Sequence, residues 1–455
     1  MSQVSRIGPR PRVLVIAEAA NPEWVSVPLV GWQIASALRR VADVHLVTQV
    51  RNRDAVLRAG LVEGQDFTAI DSEALARPVW ALASWLRMGE GKGWTMLTAL
   101  ASLSYPYFER LVWKQFGAAI RSGHYDIVHR VTPLSPTANS SLAAKCARAG
   151  VPFVLGPLNG GVPWPAGFDA ERRREREWLS YVRGLYRLLP GRTRMLRNTA
   201  ALIAGSRHTL TELGTDGQER GVYIPENGVT PDALGTPTLQ DISGPLRCCF
   251  VGRLVPYKGP DMLIEALLPL LQAGRVTLDI VGNGPLEQTL RQMVQDNALE
   301  GAVTLHGWLD HSGVGAVLSR ANLLTFPSVR EFGGGVVVEA MALGVVPVVC
   351  DYAGPGELVT AGTGFKVPMA GRSELIAAFR QTVTAICDNP RSLPQMGANA
   401  RDLVRTQFTW ARKADQIAQV YEWVTGKRDT RPQPFQIQTG DMADMPPSHA
   451  IMNER

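Results

Sequence analysis

Short apolar runs alternate with amphipathic helical patterns along most of this chain. In the first half, the runs that predict strands span residues 12–17, 43–48, 126–131, 151–155, 199–204 and 221–224. In the second half, they span residues 247–251, 276–281, 302–305, 322–326, 346–349 and 364–367. Strands that alternate with helices form parallel sheets covered by helices on both faces. The pattern therefore predicts an α/β protein of the doubly wound type.

The two series of strands predict two domains. A chain of 455 residues exceeds what one hydrophobic core usually organises. The turn-rich segment PDALGTPTLQDISGP separates the series, which predicts one domain over 1–235 and a second over 245–406. We expect the helical pattern at 409–425 to pack back onto the first domain. The composition of 427–455 predicts a disordered tail.

The overall composition is that of a globular protein. Hydrophobic residues make up 45% of the chain and charged residues 19%, and no apolar run is long enough to cross a membrane. The N-terminal residues show no secretory signal, and the five cysteines show no paired metal-ligand spacing. These features favour a reducing cytoplasm as the location.

Two glutamates, Glu331 and Glu339, bracket a triple glycine in the stretch VREFGGGVVVEAMALGVVPVV. Glu331 follows the strand predicted at 322–326, and ligands bind at the carboxyl ends of strands in open α/β sheets. A helix is predicted to begin near Gly335, and uncovered N–H groups at a glycine-rich helix start bind anions such as a diphosphate. One turn into that helix, the Glu339 carboxylate can accept hydrogen bonds from a ribose. The stretch predicts a site for a nucleotide-activated sugar.

Two further loops bring glycines and cations to the ends of strands in the second series. The loop GRLVPYKG carries Arg253 and Lys258, which can bind a diphosphate through a bidentate fork and a point charge respectively. The turn VGNGP follows the next strand. Each motif alone is also typical of a solvated loop, and each glutamate alone of an exposed surface. Their joint occurrence after strands of one sheet favours a donor site.

These segments resemble the retaining glycosyltransferases of family 4, which have the GT-B fold of two Rossmann-like domains. The resemblance extends over nearly the whole chain through GRLVPYKG, GNGP, EFGGGVVVE, GSRHT at 205–209 and IPENGV at 224–229. It implies Arg253 and Lys258 on the donor diphosphate, Glu331 on the sugar hydroxyls and Glu339 on the ribose. The donor-binding set that it implies is Gly252, Arg253, Lys258, Gly282, Asn283, Gly284, Glu331, Phe332, Gly333, Gly334, Gly335, Val336 and Glu339.

The chemistry that the resemblance implies is transfer of a hexose-type sugar from a nucleotide diphosphate sugar with retention of configuration. The acceptor is expected to be a glycan or a lipid-linked molecule in bacterial polysaccharide or glycolipid synthesis. No Asp-x-Asp motif stands at a strand end, so no metal cofactor is expected. The sequence names neither the sugar nor the acceptor.

The chain departs from the family pattern on both sides of the expected cleft. Phe332 follows the first glutamate immediately, whereas the family commonly places phenylalanine one residue later. The usual Gly-Gly loop after the first strand is replaced by EAANPEWVSVPLVG, which leaves Gly31 as the candidate for backbone approach to the acceptor. Gly160 and Gly161 are further candidates for the acceptor side.

His129 is a candidate catalytic residue, together with Glu331, Arg253 and Lys258. It ends the strand YDIVH, where the family often carries a histidine near the reacting sugar. A second histidine found two positions later in some members is Val131 here. The alternative interpretation, a histidine packed at the end of its strand, therefore stays open.

The positive charge of the chain is concentrated in one segment. Residues 171–197 hold nine arginines and three glutamates, which equals the net charge of +6 of the whole chain. Within it, 171–189 is predicted to form a basic amphipathic helix, a pattern typical of anionic membrane surfaces, although a core-packed helix with a solvated arginine face has the same pattern. Aromatic residues between Trp80 and Trp113 favour a lipid-linked acceptor. No nucleic-acid-binding module is present, so nucleic acid is not an expected partner.

Two other functions fit the same motifs. A GT-B-like phosphorylase or epimerase would use the same cleft, and a non-catalytic protein would bind a nucleotide sugar without turning it over. The cation pair directed at a diphosphate and the resemblance favour transfer over phosphorolysis or epimerisation, and the non-catalytic alternative stays open.

Overall fold

The fold consists of two Rossmann-like domains, each built on a parallel sheet. The computed structural model describes residues 10–74, 94–160, 162–174, 191–235 and 241–436. The strand order is β3-β2-β1-β4-β5-β6-β7 in the first sheet and β10-β9-β8-β11-β12-β13 in the second. The predicted fold class is therefore confirmed.

The first sheet is formed by β1 Arg12–Ala17, β2 Asp43–Gln49, β3 Phe67–Ile70, β4 Ile127–Thr132, β5 Phe153–Leu158, β6 Ala201–Ala204 and β7 Gly221–Tyr223. Its central strands β1, β4 and β5 are almost completely buried because helices cover both faces, and β4 carries the buried polar residues His129 and Arg130. Strand β3 is absent from the sequence prediction, since its four residues lie at the edge of the sheet and carry too short an apolar pattern.

The helices of the first domain are α1 Val27–Leu38, α2 Arg53–Arg58, α3 Trp94–Arg121, α4 Leu142–Arg148, α5 Asp169–Arg174, α6 Arg192–Arg197, α7 Arg207–Glu212 and α8 Thr215–Arg220. In the described part of the chain, no helix is both long enough and apolar enough to cross a membrane. Of the predicted basic helix at 171–189, residues 175–189 lie outside the described residues, as do Trp80 and Trp85.

The second sheet is formed by β8 Leu246–Val251, β9 Val276–Val281, β10 Val303–Gly307, β11 Leu323–Phe326, β12 Val346–Cys350 and β13 Phe365–Val367. Its helices are α9 Pro260–Gln272, α10 Glu287–Asp296, α11 His311–Leu318, α12 Gly335–Ala342, α13 Ala353–Leu358, α14 Arg372–Asp388 and α15 Leu393–Gln407. Pro269 lies inside α9, which ends three residues later. All five cysteines are free thiols.

The chain crosses twice between the domains, and the two crossings lie side by side. Val229 N donates to Phe408 O at 2.9 Å, and Trp410 N donates to Val229 O at 3.2 Å. The last helix, α16 Trp410–Val424, then packs against α1 of the first domain. Residues 427–436, which the composition assigns to a disordered tail, are described here, and Phe435 is buried against Phe408. The remainder of that tail, 437–455, lies outside the described residues.

The segment after β5 connects the domains across the cleft. Arg330 Nε donates to Val162 O at 3.2 Å, and the Tyr352 hydroxyl donates to Pro163 O at 3.0 Å. The indole ring of Trp164 packs edge-on against Tyr257, and Arg330 lies over its face. These contacts join loops of the second domain to the first, so the two domains are in direct contact beside the cleft.

Candidate active site

The candidate donor site lies where the strand order of the second sheet reverses. Strand β8 lies between β9 and β11, and the chain leaves β8 and β11 into the two loops that carry the predicted site residues. Side chains from two loops meet in the crevice at such a switch point. Lys258 and Glu331, which are 73 positions apart, come together there.

Lys258 and Glu331 form an ion pair between these loops. The Lys258 ammonium donates to Glu331 Oε2 and lies 5.0 Å from the centre of the Phe326 ring. Burial, and then the positive charge of Arg253, lower the pKa of Lys258 to about 7. The Glu331 carboxylate acts in the opposite direction and favours the charged ammonium. The sequence predicts that both residues belong to one site, and the fold brings them into contact.

Arg253 is exposed and lies near the start of the same loop. Its positive charge lowers the pKa of Lys258, so the two cations lie close together. Gly259 ends the loop in the left-handed region with φ 70°, which lets Pro260 begin α9 directly behind Lys258. The loop thus holds two positive charges at the carboxyl end of β8.

The triple glycine forms the turn from Glu331 into α12. Gly334 has φ 63° in the left-handed region, and its N–H donates to Glu331 Oε1 at 3.3 Å. A Cβ on Gly333 would lie 2.3 Å from Asn227 Nδ2 of the first domain, so this glycine permits close approach of the domains. Gly335 begins α12, whose first N–H groups have no partner within the helix. The neighbouring Phe332 and Val336 are half-buried.

The Gly282 to Gly284 turn packs against the Arg253 loop. Leu254 N donates to Asn283 O at 2.9 Å, and a Cβ on Gly282 would lie 1.9 Å from Gly252 O. The glycines of this turn are therefore required by contact between two loops. The Asn283 side chain is exposed, and its predicted contact with the donor stays a prediction.

Glu339 lies one turn into α12 on the side of His311. Burial raises the pKa of the Glu339 carboxyl group, and His311 at the start of α11 acts in the opposite direction. The predicted ribose contact of Glu339 stays a prediction.

His129 lies inside the first sheet, and its predicted catalytic role stays a prediction. It is fully buried in β4, and its ring nitrogens form hydrogen bonds of 2.7 Å with the Tyr421 hydroxyl and with Gly156 O. Burial lowers its pKa to about 4, so the ring is neutral. The neutral ring has no exposed atom, and both of its nitrogens are hydrogen-bonded. It therefore links β4 to α16.

The acceptor-side glycines have local roles in packing. A Cβ on Gly31 would lie 2.2 Å from Ala19 O, so this glycine lets α1 approach the loop after β1. Gly160 N donates to Thr209 Oγ1 at 3.0 Å, which fixes the loop after β5 to α7. Gly161 lies outside the described residues. An acceptor contact of these residues stays a prediction.

The prediction omitted one residue that the fold brings to the donor loop. Glu226, in the segment IPENGV, is buried, and its Oε1 lies 2.7 Å from the point that a Cβ on Gly333 would occupy. Oε1 accepts a hydrogen bond of 3.1 Å from Asn159 Nδ2. The sequence did indicate Glu226 as a carboxylate in the segment IPENGV, which resembles the family. Its position beside Gly333, however, depends on how the two domains pack together.

The second domain is similar in sequence to a family of known proteins. Residues 245–385 match the family described as "Glycosyl transferases group 1". The match lies within the second domain. The matched residues include the Arg253 loop, the Gly282 turn and the glycine loop with both glutamates, so the candidate site lies within the matched segment.

Two curated bacterial relatives extend the similarity. An α-D-kanosaminyltransferase of Streptomyces kanamyceticus is 30% identical over 174 residues, covering 38% of this chain and 44% of the relative. A glycogen synthase of Mycobacterium tuberculosis is 31% identical over 246 residues, covering 53% of this chain and 58% of the relative. The chain thus spans about half the length of each of these relatives.

A solved structure extends the similarity to both domains. HepE from Anabaena in complex with UDP matches 90% of this chain and 99% of its own, with a TM-score of 0.58 and 18% identity. At this identity the match shows the fold alone. The two Rossmann-like domains have the GT-B arrangement.

Proposed function

We propose that this protein is a retaining glycosyltransferase of family 4 that transfers a hexose-type sugar from a nucleotide diphosphate sugar. The observation that carries the proposal is the contact between Lys258, Glu331 and the glycine turn at the start of α12, inside the segment that matches the group 1 glycosyltransferases. Cations beside uncovered N–H groups stabilise the negative charge that develops on a departing diphosphate. Such preorganised charge favours breakage of a glycosyl–phosphate bond.

The donor occupies the second domain in this proposal. The diphosphate lies between Arg253, Lys258 and the first N–H groups of α12, the ribose lies at Glu339, and the sugar hydroxyls lie at Glu331. The glycines at 333 to 335 lie beneath the sugar and the phosphates. HepE was crystallised with UDP, which supports a nucleotide donor here.

The acceptor is a glycan or a lipid-linked molecule bound by the first domain, in bacterial polysaccharide or glycolipid synthesis. The glycogen synthase relative, whose name specifies a polysaccharide product, supports this class of acceptor. Nuclear magnetic resonance of the first-formed product tests retention, since the anomeric configuration of the donor must persist. We expect transfer to proceed in the presence of a chelator, and activity that requires a divalent ion would contradict this.

A screen of nucleotide sugars for thermal stabilisation tests the donor. A ligand present at about 100 times its dissociation constant should add roughly 2.7 kcal/mol to the free energy of unfolding. Release of the nucleoside diphosphate, measured with and without acceptor, then separates transfer from phosphorolysis, from epimerisation and from binding alone. Lys258→Met should abolish release, whereas Glu300→Gln, at an exposed glutamate of the same domain, should not. A wild-type protein that no nucleotide sugar stabilises would refute the proposal.

The same proposal includes binding to an anionic membrane through 171–189. The protein would bind the inner face of the membrane from the cytoplasmic side. This binding brings the protein to a lipid-linked acceptor. Sedimentation with liposomes that contain or lack an anionic lipid tests it, and equal binding to both would remove the membrane from the proposal.

A further inference from the structure

Glu226 lies where loops of both domains meet. It follows β7 of the first domain and is only 7% exposed. Its Oε1 lies 2.7 Å from the point that a Cβ on Gly333 would occupy, and its Oε2 lies 3.3 Å from the corresponding point on Gly205. The carboxyl group is therefore held between two glycines, one in each domain, that present no side chain to it.

The two oxygens of Glu226 are used differently. Oε1 accepts a hydrogen bond from Asn159 Nδ2, whereas Oε2 is buried without a hydrogen-bond partner among the described residues. A buried acceptor that lacks a partner destabilises the folded protein, so its presence at a domain junction points to a ligand. Burial raises the pKa of Glu226 to about 7, and the hydrogen bond from Asn159 acts in the opposite direction. Near neutral pH the group can therefore accept a hydrogen bond, or donate one when protonated.

A hydroxyl group is the partner that suits such an oxygen. Gly333, which Glu226 touches, belongs to the glycine turn between Glu331 and Glu339. We propose that Glu226 is a sugar-recognising residue supplied by the first domain, and that its Oε2 binds a hydroxyl group of the donor sugar or of the acceptor sugar in the closed enzyme. This inference rests on the proposed glycosyl transfer. Because Glu331 is already held by Lys258, Glu226 gives the first domain its own contact with the sugar.

Calorimetric titration with UDP-glucose and with UDP separates the sugar from the nucleotide. If the nucleotide-sugar screen selects another donor, that donor and its diphosphate replace this pair. For a hydroxyl group of the donor sugar, Glu226→Ala should weaken binding of the nucleotide sugar about 10- to 100-fold. It should leave binding of the diphosphate within about twofold, because the diphosphate lacks the hydroxyl partner. Glu226→Gln retains one oxygen and should recover part of the loss.

Steady-state kinetics cover the second source of the hydroxyl group. If it belongs to the acceptor, Glu226→Ala should leave both titrations unchanged and raise the acceptor KM by a similar factor. Release of nucleoside diphosphate without acceptor should then stay at the wild-type rate. Glu171→Gln is the matched control, since Glu171 is also a buried glutamate between the domains but is paired with Arg372.

Two results overturn the assignment. One is an equal loss of affinity for the nucleotide sugar and its diphosphate in Glu226→Ala. The other is a Glu226→Ala protein that behaves like Glu171→Gln in every titration and in acceptor KM. Both differ from failure of the proposed function, in which the wild type itself binds no nucleotide sugar. The melting temperatures of the Ala and Gln variants show whether either substitution acts through folding.

Discussion

At Lys258, competing influences act on one ammonium group. Burial and the charge of Arg253 lower its pKa to about 7, while the Glu331 carboxylate favours the charged form. A bound diphosphate would bring further negative charge and favour the charged form strongly. Binding of a diphosphate and protonation of Lys258 are thus linked, which makes the affinity depend on pH.

We predict that the affinity for UDP falls as the pH rises from 7 to 9. Burial and the charge of Arg253 lower the lysine pKa in the free protein, so at high pH binding of the diphosphate must take up a proton. The loss should approach about tenfold per pH unit, measured by isothermal titration calorimetry. Lys258→Arg is the control, because a guanidinium group stays charged throughout this range and should flatten the dependence. An equally steep dependence in that variant would exclude Lys258 as the titrating group.

At the scale of the element, the start of α12 is where local backbone geometry and domain contact coincide. Gly334 adopts the left-handed conformation that turns the chain into the helix, and Gly333 leaves room for Glu226 and Asn227. The requirement for glycine at Gly334 comes from the local backbone conformation. The requirement at Gly333 exists only because the other domain lies against the loop. Substitutions at the two positions should therefore fail in different ways.

We predict that Gly333→Ala disturbs the contact between the domains and leaves each domain folded. The added methyl group would lie 2.3 Å from Asn227 Nδ2 and 2.7 Å from Glu226 Oε1, and both are ends of side chains that can move. Transfer should fall at least about tenfold, equivalent to roughly 1.4 kcal/mol, with little change in melting temperature. Gly301→Ala, where no atom lies within 4 Å of the added methyl group, is the matched control. A large drop in melting temperature for Gly333→Ala would show that the glycine is needed for folding instead.

We predict that Gly334→Ala lowers the stability of the second domain. An alanine at φ 63° costs about 1 to 2 kcal/mol, and its methyl group would also lie 3.2 Å from Leu358 Cδ1. Thermal unfolding of the ligand-free protein measures this. Unchanged stability would mean that the turn relaxes to a different backbone conformation.

These elements also show how far the sequence could predict the site. The Lys258 and Glu331 loops were predictable because each motif directly follows an apolar run, and neighbouring parallel strands bring such loops to one edge. The hydrogen bonds of His129 were not predictable, because β4 is buried on both faces and its partner Tyr421 lies 292 positions away in the chain. The contact of Glu226 with Gly333 was not predictable either, since it depends on packing between domains.

At the scale of the whole molecule, the C-terminal helix forms part of the N-terminal domain. Helix α16 packs on α1, and the Tyr421 hydroxyl forms a hydrogen bond with His129 in the centre of the first sheet. Phe435 then packs against Tyr223 and Phe408 beside the crossing segments. The first domain is therefore built from two distant parts of the sequence.

We predict that the stability contributed by His129 is lost on acidification. Its folded pKa of about 4 lies below the ordinary value of 6.5, so the contribution is present above pH 6.5 and is lost as the pH falls through about 4. The difference in unfolding free energy between the wild type and His129→Gln should shrink by roughly 3 kcal/mol over that interval. Chemical denaturation at several pH values measures it, with Tyr421→Phe as a companion that removes the hydroxyl partner alone. A difference that does not change with pH would contradict a buried neutral ring.

The hydrogen bond between His129 and Tyr421 also has a consequence for synthesis on the ribosome. The two residues are 292 positions apart in the chain. At about 5 to 20 residues per second, translation needs roughly 15 to 60 s to pass from one to the other. During that interval the second domain can form as a complete unit, while the nascent first domain still lacks α16 and leaves the apolar face of α1 uncovered. The first domain is therefore synthesised first but completes its folding last. A chaperone that binds this nascent chain should bind the face of α1 that α16 later covers.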